Sequence, residues 1–178
     1  MLEKFLTEHI QMIIDAKEDM LVIAAGMFVC YLVLLAKGAV RYQKLSIKSI
    51  LAGILLSLSI GAILALTLAG REYNPYSQRF ELEVFWSYKK AILEKNSYFA
   101  VEIVCNILLF IPWGFMMPFL FQGFEKLVWI LASAALVSLC IELTQGIFCL
   151  GLFEFDDMIN NVLGTLIGWG IYRKMKKT

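Results

Sequence analysis

A chain whose apolar runs each approach the thickness of a bilayer has few folds open to it. Hydrocarbon satisfies no backbone polar group, so only helices and closed barrels cross it. Such runs extend here over about 20–36, 50–69, 100–121, 127–147 and 158–172, against the roughly 20 residues that a crossing helix needs. Of 178 residues, 60% are hydrophobic and 17% charged, with a mean hydropathy of +0.74, a balance that excludes a soluble domain. The expected fold is all-α, a polytopic membrane helix bundle of about five transmembrane helices, with 1–178 forming a single domain.

Between the runs, the chain reads as interfacial. Over Met1–Glu18, Leu2, Phe5, Leu6, Ile10 and Ile13 share one helical face, which predicts an amphipathic helix lying in the interface. That segment is acidic and lacks a basic start, so no cleavable signal peptide is expected. Residues 70–98 are rich in aromatics, among them Tyr73, Tyr76, Phe80, Phe85, Trp86 and Tyr88. Such rings suit the headgroup level, and a loop holding one short interfacial helix is expected there. Two segments are basic, Lys37–Lys48 and Arg173–Lys177. If both are cytoplasmic, an even number of crossings separates them, which puts the N-terminus outside and the C-terminus in the cytoplasm. Cys30, Cys105, Cys140 and Cys149 lie in apolar runs at no zinc spacing, and read as small buried hydrophobes.

The stretch Ile141–Gly168 sets acids and amides inside and between the last two runs. At about 100° per residue, Ser138, Glu142, Gln145 and Cys149 share one stripe, and Asp157, Asn160, Asn161, Gly164 and Gly168 share another. Two such stripes can face each other across a helix pair, hidden from lipid. An ionisable residue at membrane depth is a functional candidate by default. The expected ligand-binding set is Arg71, Asn106, Glu142, Gln145, Asp156, Asp157, Asn160 and Asn161, of which Asn106, Glu142, Gln145, Asp157 and Asn161 are expected to converge on one pocket that opens to the outer leaflet. Arg71 or Arg79 would be the counter-charge. Each feature also has a structural reading. Glu142 with Gln145 can be interhelical glue, Asp156 or Asp157 can cap a helix, and Gly164 with Gly168 matches a helix-packing spacing.

The segments NILLFIPWGFMMPF (Asn106–Phe119), IELTQ (Ile141–Gln145) and FEFDDMINNVLGTLIG (Phe153–Gly168) resemble the VanZ-like family of bacterial integral membrane proteins. The resemblance puts Asn106, Pro112 and Gly114 in one signature block, Glu142 and Gln145 in a second, and Asp157, Asn161 and Gly164 in a third, all within 101–173. Many members carry an Arg shortly before the acidic pair, where this chain has Gly151 and Leu152. A cation there would have to come from the loop. The resemblance implies a multi-pass protein of the bacterial cytoplasmic membrane and a link to teicoplanin-type glycopeptide resistance, without supplying a mechanism.

The absences narrow the chemistry. His9 is the single histidine, too few for a paired-His zinc protease motif and poorly placed for a Ser–His–acid hydrolase. No Gly-rich phosphate loop is present. No resident metal, no cofactor and no nucleic-acid partner is expected. Two acids in different surroundings can act as acid and base, coordinate a hard cation, or bind a cationic or hydroxyl-rich headgroup. Two readings follow. The first is a non-enzymatic protein binding membrane lipid, a cell-wall precursor or a lipoglycopeptide. The second is a small membrane enzyme acting on a lipid-linked envelope substrate, with Glu142 and Asp157 as catalytic candidates.

Overall fold

The computed structural model describes residues 11, 17–36, 47–69, 71, 73–76 and 80–177, apart from the side chains of 48 and 49. The amphipathic helix expected over Met1–Glu18, most of the basic linker, and Arg79 lie outside the described residues. Six α-helices are present among those described: α1 (Lys17–Ala36), α2 (Ile47–Leu64), α3 (Trp86–Ile92), α4 (Ser97–Leu120), α5 (Leu127–Ile147) and α6 (Phe155–Lys177). A π-helical turn, Ala65–Ala69, extends α2, and a 3-10 turn, Gln122–Glu125, joins α4 to α5.

Among the described residues, four helical stretches are long and apolar enough to cross a membrane: Lys17–Ala36, Ile50–Ala69, Ser97–Leu120 and Leu127–Ile147. Helix α6, the fifth span of the sequence reading, is not among them, because acids and amides fill its start and lysines its end. Its 23 residues still measure about 34 Å at 1.5 Å per residue, and its polar side chains turn inward: Asn160, Asn161 and Thr165 are all buried. Leu21, Val22, Val29, Leu108, Val128 and Leu136 are instead exposed, as hydrocarbon-facing side chains would be.

The most extensive pairing among the described helices is α4 with α6, and small residues allow it from both sides. A methyl group at Gly114 would collide with the Thr165 backbone, and one at Gly164 or Gly168 with the backbones of Ile107 and Ile111. This is the small-residue packing that the four-residue glycine spacing predicts. Below the site, Ile63, Phe110, Trp113, Ile130, Ala134 and Ile141 form one core cluster, while Tyr31, Leu35, Ala52, Leu56 and Leu120 form another between α1, α2 and α4. Asn96 starts α4 by accepting the Tyr98 N–H at 3.0 Å.

The two ends of α6 are fastened separately. At its C-terminal end the Glu125 carboxylate accepts from Tyr172 Oη at 3.1 Å and Lys176 Nζ at 2.7 Å, and the Glu125 carbonyl accepts from Trp169 Nε1 at 3.1 Å. At its N-terminal end two short strands, β1 (Phe80–Glu81) and β2 (Phe153–Glu154), pair in parallel with Phe80 opposite Phe153 and Glu81 opposite Glu154. That ladder ties the aromatic loop to the α5–α6 connection. The loop also contains the expected short helix, α3.

Candidate functional site

The π-helical end of α2, the start of α4, the end of α5 and the start of α6 meet at one end of the bundle, where the 71–96 loop joins them. The head of α6 divides its polar residues between two tasks. Asp156 and Asn160, one turn apart, face the loop. The Asp156 carboxylate accepts the N–H groups of Phe85 at 2.6 Å and Ser87 at 2.8 Å, together with the Ser87 hydroxyl at 2.7 Å. It thereby caps α3, whose own N-cap, Phe85, has φ 64° and offers no side-chain acceptor. The Asn160 carbonyl accepts the Tyr88 hydroxyl at 2.5 Å. Burial, and then the charges of Asp156 and Asp157, raise the Tyr88 phenol pKa, which keeps that donor protonated.

Asp157 and Asn161, the next pair around α6, face the bundle. The Asn106 amide of α4 hydrogen-bonds the Asp157 carboxylate. Asn161 Nδ2 donates to Ser138 Oγ on α5 at 2.8 Å. The α5 stripe expected from spacing is buried throughout, with Ser138, Glu142, Gln145 and Cys149 each less than 5% exposed. Its members have different partners. Glu142 Oε2 accepts the Glu154 N–H at 2.8 Å. Gln145 Nε2 donates at 2.8 Å to the Thr67 carbonyl in the π-helical turn, where widened hydrogen-bond spacing leaves backbone groups needing partners. Cys149 lies beyond the end of α5 with φ 56°, and its carbonyl accepts the Asn74 N–H at 2.8 Å.

Between these fastenings sits an acidic cluster. Carboxylate oxygens of Glu102 (α4), Glu154 (β2) and Asp157 (α6) lie within 4.8 Å of one another. Tyr98 hydrogen-bonds Glu102 one turn before it, and Glu142 is close enough to Asp157 and Glu102 to feel both charges. Burial, followed by the charges of Asp157, Glu102, Glu142 and Asp156, pushes Glu154 up to about 9. Arg71 supplies the opposing charge, acting on Glu102, Glu142 and Asp157. Its Nη1 stands 3.4 Å from where a Cβ on Gly151 would be. The guanidinium thus occupies the space into which a side chain at 151 would grow.

Of the residues expected from sequence, Arg71, Asn106, Glu142 and Asp157 come together here. Gln145 and Asn161 lie alongside, holding the π-helical turn and α5. The Asp156 carboxylate is taken up by α3, and Asn160 binds the loop through Tyr88. Sequence reasoning passed over Glu102 and Glu154 as site members. Glu102 precedes Asn106 by one helical turn, so the same periodicity could have found it. Glu154 arrives through a strand pair two residues long, too short to leave a pattern.

These features define a polytopic helical membrane protein with a largely buried acidic cluster at one end of its bundle. The chain belongs to the VanZ/LLP1 family, whose model matches residues 61–176. The matched stretch contains every site residue from Arg71 to Asn161, and it bears out the resemblance in the blocks at Asn106–Phe119, Ile141–Gln145 and Phe153–Gly168. The VanZ-like family is associated in general with teicoplanin resistance. No curated protein and no solved structure matches the chain.

Proposed function

We propose that this protein binds the headgroup of an envelope lipid or lipid-linked cell-wall precursor, or a lipoglycopeptide, in an outward-facing polar cleft at the acidic cluster, and so lowers susceptibility to teicoplanin-type glycopeptides without catalysing a reaction. The observation that carries this reading is the convergence of Arg71, Glu102, Asn106, Glu142, Glu154 and Asp157 at one end of the bundle. Carboxylates, an amide and a guanidinium at that depth suit hydroxyl, amide and ammonium groups, and they stay out of hydrocarbon only by facing one another or a ligand.

The cleft belongs on the outer face. The basic tail Arg173–Lys177 ends α6 at the opposite end of the bundle, beside Glu125, and basic segments favour the cytoplasm. The C-terminus is then cytoplasmic and the protein sits in the bacterial cytoplasmic membrane. Labelling of a cysteine at position 177 by an impermeant reagent in intact cells would refute this orientation.

Teicoplanin susceptibility tests the function in cells carrying vector, wild type, Asp157→Asn or Arg71→Ala at matched membrane levels. Wild type should raise the inhibitory concentration above vector, and both variants should return it towards vector while remaining folded in detergent. No rise with wild type would refute the reading. Turnover of a lipid-linked precursor by the purified protein would overturn its non-catalytic part.

A further inference from the structure

Glu102, Glu154 and Asp157 come from three separate elements, yet their carboxylate oxygens gather within 4.8 Å. Carboxylates this close repel one another unless a proton or a cation intervenes. A second observation concerns what those oxygens touch. Oε2 of Glu102 and Oε2 of Glu154 are buried and accept no hydrogen bond, and Glu154 as a whole is 8% exposed. Asn160, fully buried, lies beside Asp157, and its Nδ2 completes no hydrogen bond of full geometry there. Buried polar atoms are nearly always satisfied, and an exception calls for an ion, a water or a functional role. Arg71 acts on the cluster from nearby but hydrogen-bonds neither free oxygen.

The donor set decides the chemistry of an occupant. All three ligands are carboxylate oxygens, with neither imidazole nor thiolate, which suits hard cations rather than zinc or copper. Metal–oxygen distances of about 2.0–2.6 Å put two oxygens on one ion roughly 3–5 Å apart, a span that the cluster already has. The three ligands are also independently held. Asp157 is braced by Asn106, Glu102 by Tyr98, and the Glu154 backbone by Glu142 and the β1–β2 ladder. Such bracing is what orients the ligands of a metal site.

We propose that Glu102, Glu154 and Asp157 form a binding site for one hard divalent cation of the magnesium, calcium or manganese class. Its remaining coordination positions face water or an oxygen of a bound headgroup. The site does not depend on the resistance reading. It would add to it, because a cation beside Arg71 lets an otherwise acidic cleft accept a phosphate.

The test uses full-length protein purified in detergent and stripped with chelator. Titration with Mn2+, followed by loss of the free-ion electron paramagnetic resonance signal, should show saturable binding of one ion per chain, displaced by excess Mg2+ or Ca2+. Glu102→Gln and Glu154→Gln should each weaken Mn2+ binding by about 10- to 100-fold or more, the scale at which even bracing groups act. Glu94→Gln, at an exposed position just beyond the end of α3, should leave it unchanged. Absence of saturable binding by wild type overturns the proposal even if a variant fails to fold. Undiminished binding by folded Glu102→Gln and Glu154→Gln proteins overturns it as well. Neither readout involves teicoplanin or lipid, so the cation site and the resistance reading fail separately.

Discussion

Replacing Asp156 with alanine should release the aromatic loop from α6 while leaving the acidic cluster in place. Three donors lose their acceptor: the N–H groups of Phe85 and Ser87 and the Ser87 hydroxyl. Phe85 is 54% exposed, so its N–H can turn to water, whereas Ser87 is 1% exposed and cannot. A buried donor left without a partner costs about 1–3 kcal/mol, so the two donors of Ser87 put the loss at about 2–6 kcal/mol. The hydroxyl can rotate, which favours the lower half, and about 3 kcal/mol is the working figure. At 1.4 kcal/mol per factor of ten, the detached loop rises in population by roughly 100-fold. Hydrogen exchange reads that population directly when opening is fast and reversible. The amides of Lys89 and Leu93, bonded inside the α3 turn to the carbonyls of Phe85 and Lys89, should exchange faster by about that factor in Asp156→Ala. Asp156→Asn, which keeps one acceptor oxygen, should fall between. Unchanged exchange in Asp156→Ala, with the rest of the bundle protected as before, would refute the assignment of Asp156 as the clasp of the loop.

Two other substitutions probe the packing and the counter-charge. Gly164→Ala should lower thermal stability in detergent by about 1–3 kcal/mol, as overpacking does, because the added methyl meets the Ile107 backbone; Gly170→Ala, with open space around it, should not. Arg71→Ala should lose teicoplanin protection, and adding Gly151→Arg should restore it, because position 151 points into the space that the Arg71 guanidinium fills.

The parts legible in the sequence were those that repeat with a helical period. Ser138, Glu142 and Gln145 are buried on one stripe of α5, as their spacing requires, because lipid cannot solvate them. The same cost brings Asp157, Asn106, Glu142 and Arg71 to one place. Contacts without a period were not legible. The stripe on α6 reads as one face, yet Asn160 leans back towards Asp156 and the loop while Asp157 and Asn161 turn inward. Nothing in the local sequence says which amide meets Tyr88 and which meets Ser138. The β1–β2 pair joins residues more than 70 positions apart through two residues a side, so Glu154 could not be placed before the fold was known. The π-helical turn at Ala65–Ala69 is equally silent, since the Thr67 carbonyl inside it finds its partner in the Gln145 amide of α5, 78 positions along the chain. The count of crossings is blurred at α6 because its polar residues, which lower its hydropathy, are the ones the bundle hides.

The four acids of the site divide by what their oxygens already do. Glu142 is the innermost, and one of its oxygens is taken by a backbone N–H, that of Glu154. It is therefore a positioning residue: it fixes the strand on which the next acid is carried. Register gives that contact its consequence. Adjacent strand residues point to opposite faces, so a slip of one position between Phe80–Glu81 and Phe153–Glu154 would turn the Glu154 side chain away from Glu102 and Asp157. Two restraints of different origin, one from α5 and one from the loop, hold a two-residue strand that could not hold itself. Evolution of a merely stable bundle has no need of such an arrangement, since an apolar residue at 154 would pack there without a free oxygen and without repelling Asp157. Restraining a buried carboxylate so that it points at two others raises the energy of the folded protein in the absence of an occupant. Binding of the proposed cation or headgroup would recover that energy. The bracing of Glu154 is thus the feature of this fold that packing alone explains least and a ligand explains best.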